Sequence, residues 1–95
     1  MSKVLLEINY EVQPSKRDEY LSLIKELKSG YENSKIADLE VFEVQGSTNS
    51  FMEIYTYENE DSFQNADDSA FDEMVVRIND CLVPDKLRSF TLHQI

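Results

Sequence analysis

The side chains best suited to chemistry are acids and hydrogen-bonding groups spaced two residues apart. Glu7 and Asn9 form one such pair, and Glu53 and Tyr55 form another. His93 is the only histidine and lies near the C terminus. Carboxylates that face each other in a partly dry space have raised pKa values, which suits a general base or a cation site. These five residues are therefore the candidate catalytic residues.

Two alternatives remain open for the acids. In a water-filled space the carboxylates are solvated or paired with Lys3, Arg88 or a second copy of the chain. In a drier space at least one of Glu7, Glu40 and Glu53 has a raised pKa because of its like-charged neighbours. We expect Glu7 and Glu53 to lie close together on neighbouring central strands.

Metal and nucleotide chemistry have no support in the residue types. Cys81 is the only cysteine, so no intrachain disulfide or cysteine metal cluster can form. One histidine cannot build a multi-histidine centre. No glycine-rich phosphate loop, zinc motif or Ser-His-Asp order is present. We expect no metal and no cofactor, and Cys81 as a small core residue on an apolar stripe.

Length and charge limit the class of protein. The 95 residues predict a single domain, 1–95, with a thin core. Asp and Glu number 19 against 9 Lys and Arg, a formal charge of −10. This balance argues against nucleic-acid binding and against anionic membrane surfaces. The N-terminal apolar run is too short for a signal peptide, and we expect a cytoplasmic protein.

Apolar periodicity predicts the order strand, helix, strand, strand, helix, strand. Ser15 and Asn59 are the expected N-caps, and Gly30 is the expected C-terminal cap of the first helix. Pro84 closes the last helix. Strands are predicted at Val4–Val12, Ala37–Gln45, Phe51–Tyr57 and Ser89–Ile95, long helices from Ser15 to Gly30 and from about Asp68 to Leu82, and a short helix from Asn59 to Phe63.

This order predicts an α+β, ferredoxin-like βαββαβ fold, an antiparallel four-stranded sheet with both long helices on one face. The helix-facing residues form either a plain core or a small pocket for an apolar or aromatic molecule. The pocket candidates are Ile8, Tyr10, Tyr20, Ile54, Phe71, Met74 and Val75.

The other face of the sheet has no cover, so we expect it to pair with a second copy of the chain. The expected homodimer interface contains Glu40, Phe42, Tyr55 and Tyr57. The last strand is ambiguous. If Phe90 and Leu92 face the helices, His93 and its alternate neighbours Ser89 and Thr91 lie on the open face.

Two segments resemble a known superfamily. Val12–Lys16 is similar to the turn into the first helix of dimeric α/β-barrel proteins, above all the antibiotic-biosynthesis-monooxygenase-like (ABM-like) branch. Phe51–Phe63 resembles that branch's aromatic strand, acidic turn and helix-opening Phe. The resemblance implies a homodimer whose two sheets form a barrel. Its members include cofactor-independent monooxygenases acting on polycyclic aromatics, haem-degrading enzymes, isomerases and proteins without known activity.

The haem-degrading branch is excluded by the residues that its pocket requires. That branch uses an Asn on the first strand, a Trp after the third strand and a His on the second long helix. Here Ile8, Ala66 and Val75 occupy those places, and the chain contains no Trp. Two hypotheses remain: a cofactor-independent oxygenase or isomerase, and a non-catalytic ligand-binding or assembly module.

Overall fold

The computed structural model describes residues 2–95. Four strands and three α-helices alternate in the predicted order, with two short 3₁₀ turns. The strands are β1 (Val4–Glu11), β2 (Asp38–Glu43), β3 (Ser50–Tyr57) and β4 (Arg88–His93), and the helices are α1 (Arg17–Ser34), α2 (Glu60–Gln64) and α3 (Asp72–Asn79).

The strands form one antiparallel sheet in the order β2-β3-β1-β4. β1 and β3 are therefore central, and β2 and β4 are the edges. This confirms the predicted α+β fold with ferredoxin-like topology. The central pair sets which side chains share a face, because directly paired residues point the same way.

The register of β3 corrects the predicted faces. Ile8 pairs with Glu53 and Tyr10 pairs with Phe51, so Glu53 shares the helix side with the buried face of β1. Tyr55 lies there too, whereas Ile54 lies on the open face. The prediction failed because a shift of one residue moves every side chain of a strand to the opposite face.

α1 buries one stripe at helical spacing: Tyr20, Leu23, Ile24, Leu27 and Tyr31. Two predicted caps are wrong. Ser15 makes no capping hydrogen bond, because a 3₁₀ turn over Pro14–Lys16 precedes the helix. Gly30 lies inside α1, which ends four residues later, before Lys35 in a left-handed conformation (φ 58°).

The second helical region is divided into a short helix and a longer one as predicted, but the longer helix is shorter than the predicted segment from about Asp68 to Leu82. Asn59 caps α2 as predicted, its side chain accepting a hydrogen bond from the Ser62 N–H at 2.8 Å. A 3₁₀ turn over Ser69–Phe71 then leads into α3, which ends at Asn79, before Leu82. Val75 is exposed rather than turned into a pocket.

The core lies between α1 and the sheet and continues around the end of α3. Val12 and Cys81 are fully buried, and the prediction of a core cysteine is confirmed. An isolated bridge pairs Val12 with Leu82, which anchors the chain after α3 to the end of β1. The start of α1 is fastened by Arg17, whose guanidinium contacts both carboxylate oxygens of Glu43 at 2.6 and 2.8 Å.

Removing one buried side chain of α1 tests this packing. Leu27→Ala should lower the free energy of unfolding by about 2–5 kcal/mol, because it empties a core position that is 1% exposed. Leu21→Ala, on the outer side of the same helix, is the matched control. Denaturant titration followed by circular dichroism measures both. Equal losses in the two variants would contradict the assigned helix face.

Candidate functional site

Glu53 is a buried carboxyl group in the middle of the sheet, on the side that the helices cover. Only 4% of the residue is exposed. The Tyr55 hydroxyl donates to Oε1 at 2.6 Å, and the Tyr10 hydroxyl donates to Oε2. Both carboxyl oxygens therefore have a protein partner. A buried acid with two phenol donors has the composition of a proton-binding site.

The tyrosine chain extends one residue further. The Tyr20 hydroxyl lies 2.6 Å from that of Tyr10, with the two rings edge to face. When Glu53 is ionised, Tyr20 donates to Tyr10 and Tyr10 donates to the carboxylate. When Glu53 is protonated, its O–H can donate to Tyr10, which then donates to Tyr20. In the first state every hydroxyl donates to a protein acceptor. In the second, the Tyr20 hydroxyl accepts from Tyr10, but its own proton has no acceptor among the described side chains.

Burial governs the proton affinities of this cluster. Loss of water raises the pKa of Glu53 above its usual range, and the hydrogen bonds from Tyr10 and Tyr55 offset part of this effect. Burial, followed by the nearby Glu53 carboxylate, also raises the pKa of Tyr10 and Tyr55. The tyrosines therefore stay neutral donors, and Glu53 is the group that titrates.

Aromatic rings surround the acid. Tyr31 lies edge to face with Tyr55, with ring centres 5.2 Å apart, and stacks on Phe71 at 4.5 Å. The Tyr31 hydroxyl donates to Asp68 at 3.1 Å. Neither Tyr31 nor Asp68 was predicted from the sequence to be a site residue. Tyr31 could have been found, because it lies four residues after Leu27 on the buried stripe of α1.

On the helix side of the sheet, residues are less buried toward β4. Val41, Glu53, Ile8 and Ser89 lie side by side across the four strands. Ile8 is half-buried, and all of β4 is exposed. With strands ~4.8 Å apart, Ser89 lies roughly 10 Å from Glu53. A half-covered apolar strip therefore leads from the edge of the sheet to the acid.

The other candidate catalytic residues do not join Glu53. Glu7 pairs with Ile54 and lies on the open face, where its carboxylate accepts from Asn9 Nδ2 at 2.9 Å. The expected proximity of Glu7 and Glu53 is wrong, because they occupy opposite faces. His93 lies 3.6 Å from Glu60 at the edge of the sheet. The pKa of Glu53 is raised, but by burial and not by a second carboxylate.

The residues predicted to line a pocket lie in different environments. Tyr10 and Tyr20 are buried on the helix side, and Ile8, Phe71 and Met74 are partly buried against the core. Space between the helices and the sheet near Glu53 is filled by tyrosine rings. A groove of about 850 Å³ lies elsewhere, beside the end of α1 and the start of β2.

The open face of the sheet combines apolar and charged side chains, and its members differ from those predicted. Tyr55 and Tyr57 are buried under the helices and are not part of it, whereas Glu40 and Phe42 are exposed. Pairing with β1 also places Phe90 and Leu92 here and Ser89, Thr91 and His93 on the helix side. The apolar residues of this face are Leu5, Phe42, Met52, Ile54, Phe90 and Leu92.

Two further classes of site have no counterpart in the part of the chain that the structure describes. Residues 2–95 contain no cluster of three or more His, Cys, Asp or Glu side chains arranged to hold a metal ion. Over the same residues, no helix combines the length and the apolar character that a membrane span needs.

Comparison by sequence alone finds no relative: no protein-family model and no curated protein matches. Solved structures do match. A conserved protein from Methanosarcina mazei has a TM-score of 0.87 and 16% identity over 100% of this chain and 95% of its own. A conserved protein of unknown function from Bacteroides thetaiotaomicron has a TM-score of 0.80 and 18% identity over 97% of each chain.

SnoaB, a cofactor-independent oxygenase from Streptomyces nogalater solved as a mutant, also matches. Its TM-score is 0.77, with 12% identity over 95% of this chain and 90% of its own. Several other matches are named as antibiotic biosynthesis monooxygenases. At these identities the comparisons establish the fold. The chain has the same fold as these antibiotic biosynthesis monooxygenase proteins, as the sequence resemblance predicted.

The raised pKa of Glu53 predicts how stability depends on pH. The folded state binds the Glu53 proton more tightly than the unfolded state, where the pKa is near 4.5. Stability should therefore fall as pH rises from about 4.5 through the raised value, by at most about 1.4 kcal/mol per pH unit. Glu53→Gln should remove this contribution and be more stable than the wild type at neutral pH.

Thermal and denaturant unfolding from pH 4.5 to 8, at fixed protein concentration, measures the effect. Glu26→Gln, an exposed position on α1, controls for the loss of one negative charge. Glutamine at position 53 can still accept from one tyrosine and donate to the other. A Glu53→Gln variant with the same pH slope as the wild type would show that the carboxyl group titrates normally.

Proposed function

We propose that this chain is a homodimeric, cofactor-independent enzyme that removes a proton from a small aromatic molecule, with Glu53 as the base in each subunit. The observation that carries this proposal is the buried Glu53 carboxyl group held between two tyrosine hydroxyls. A buried carboxylate whose pKa is raised binds a proton more tightly than a solvated one, which suits general base catalysis. The reaction class is that of an isomerase or an oxygenase without a cofactor.

The protein's part in this chemistry needs only groups that this chain supplies, and the oxygenase form takes dioxygen as its second substrate. Glu53 takes a proton from an acidic carbon, and a tyrosine hydroxyl, from Tyr10 or Tyr55, donates to the carbonyl oxygen on which negative charge develops. One of these hydroxyls must then leave Glu53 when substrate binds. In the isomerase form, the proton returns to another carbon. In the oxygenase form, the resonance-stabilised carbanion reacts directly with dioxygen.

The surroundings of the acid favour a neutral aromatic substrate. Tyr31, Tyr55 and Phe71 provide ring faces and edges, and the half-buried strip at Ile8 is apolar. Among the described residues, no Lys or Arg side chain is hydrogen-bonded to Glu53 or takes part in the Tyr31–Tyr55 ring contact beside it. SnoaB, which shares the fold, is a cofactor-independent oxygenase. Haem is not part of the proposal, because Ile8, Ala66 and Val75 replace the required polar and aromatic groups.

A second candidate function rests on the filling of the space around Glu53. Both carboxyl oxygens are already bound, and the rings of Tyr10, Tyr20 and Tyr55 occupy the space between helices and sheet. This arrangement also suits a non-catalytic module in which the cluster stabilises the fold. Such a module would bind a small molecule or join copies of the chain without turnover.

Dimerisation through the open face is supported by its exposed apolar side chains, since Phe42 is 49% exposed and Phe90 is 51% exposed. Glu7, Asn9 and Glu40 lie among the apolar side chains of this face, and an exposed surface of mixed character with aromatic residues is typical of an interface. Phe90→Glu should weaken self-association by about tenfold or more, because it places a charge in the interface. Val76→Glu, which is 59% exposed on α3, is the matched control.

Sedimentation equilibrium at micromolar concentration measures both variants. The wild type and Val76→Glu should sediment as dimers, and Phe90→Glu should shift toward the 11.1 kDa monomer. A wild type that is monomeric throughout would contradict the proposed dimer.

Anthrone is a suitable substrate probe, because its acidic CH₂ group lies between two aromatic rings opposite a carbonyl group. Removal of both CH₂ protons and addition of dioxygen gives anthraquinone and one molecule of water. Glu53→Gln should slow this turnover by about 100-fold or more, while Glu26→Gln leaves it unchanged. Oxygen uptake and quinone absorbance measure the rate. Equal turnover by wild type and Glu53→Gln would contradict the role of Glu53, and binding without turnover would favour the second candidate function.

A further inference from the structure

Gly30 lies inside α1 where a glycine is unfavourable. Replacing alanine by glycine in a helix interior lowers the folding equilibrium by about fivefold. A glycine nevertheless fits this position, because a Cβ atom at Gly30 would lie 2.5 Å from Cε1 and 3.2 Å from Cζ of the Phe71 ring as it is placed. The chain thus accepts a weaker helix in order to seat the Phe71 ring directly against α1.

Phe71 in turn covers the aromatic rings that lead to Glu53. Its ring stacks on Tyr31 with centres 4.5 Å apart and planes 29° apart. Tyr31 contacts the edge of Tyr55, whose hydroxyl binds Glu53. Two aromatic rings therefore separate Phe71 from the acid. Because Phe71 itself is only partly buried, it is the outermost member of this series.

The segment that carries Phe71, residues 64–71, is weakly attached to the rest of the protein. We call it the cover segment. Apart from Ala66 and Phe71, its residues are exposed. Its ties to α1 include the Phe71–Tyr31 stack and the Tyr31–Asp68 hydrogen bond of 3.1 Å. By contrast, β1 and β3 are held by a continuous ladder of backbone hydrogen bonds. Segments with few buried contacts open at the lowest free energy.

We propose that the cover segment opens to give small aromatic molecules access to the Tyr31 and Tyr55 rings beside Glu53, and that Phe71, seated on Gly30, is the latch that holds it closed. Opening separates Phe71 from Tyr31 and breaks the Tyr31–Asp68 hydrogen bond, which exposes the ring beside Tyr55. The proposal rests on the proposed function for the identity of the site, but the opening can be measured without any catalysis.

A double-mutant cycle tests the latch. In a Phe71→Ala background, Gly30→Ala should raise the folding equilibrium constant by about fivefold, the gain expected from helix propensity alone. In the wild-type background the new methyl group meets the Phe71 ring, so the gain should be lost or reversed. Phe71→Leu, a smaller change, gives an intermediate result and serves if Phe71→Ala folds poorly. An equal gain in both backgrounds would overturn the latch.

Amide hydrogen exchange followed by NMR tests the opening. In the wild type, the amides of Asn65, Ala66 and Phe71 should exchange through local opening, well before those of β3. Phe71→Ala and Asp68→Ala should each speed their exchange by about tenfold while the amides of β1 and β3 stay protected. Cover-segment amides as slow as those of β3, or unaffected by both variants, would overturn the proposal.

Access is tested with N-phenyl-1-naphthylamine, a neutral aromatic fluorophore. Its association rate should rise about tenfold in Phe71→Ala and remain at the wild-type value in Val76→Glu. Unchanged association in Phe71→Ala, or no binding to any variant, would overturn the access role. The result is independent of Glu53 chemistry: faster probe binding together with inactive wild-type protein would support the cover segment and contradict the proposed function.

Discussion

Burial of the Glu53 carboxyl group is the constraint on which the rest of the site depends. A carboxyl group removed from water destabilises the fold unless its oxygens are hydrogen-bonded. Here Tyr10 and Tyr55 provide those bonds from the two central strands, and Tyr20 provides the next from α1. This requirement ties together the register of β1 with β3 and the rotation of α1.

The same sheet carries two separate kinds of surface. On the helix side the alternate residues of β1 and β3 form the acid and its aromatic surroundings. On the open side the intervening residues combine apolar side chains, such as Ile54 and Leu5, with the hydrogen-bonded pair Glu7 and Asn9. A strand periodicity of two makes this division possible, because neighbouring residues face opposite environments. Changes on one face can therefore leave the other face intact.

The sequence predicted the fold well because its apolar periods are long and regular. It did not predict the phase of β3, where two apolar sets compete. Met52 and Ile54 have the stronger hydrophobic character, but Phe51 and Tyr55 have the larger rings and can satisfy Glu53. Which face of β3 turns toward the helices is set by its pairing with Ile8 and Tyr10. These residues are distant along the chain, so no local pattern reveals the pairing. The position of Gly30 was missed for the same reason: its partner, Phe71, lies 41 residues away along the chain.

The edge strand β2 is poorly suited to pairing with a strand of another molecule. β2, at one edge, exposes Asp38 and Glu40, so a chain added alongside would bring further charge next to these carboxylates. Proteins commonly protect sheet edges from aggregation with charged side chains. Because of these charges, addition of strands from other molecules to the β2 edge is disfavoured. The acidic side chains of β2 thus protect one of the two sheet edges from aggregation.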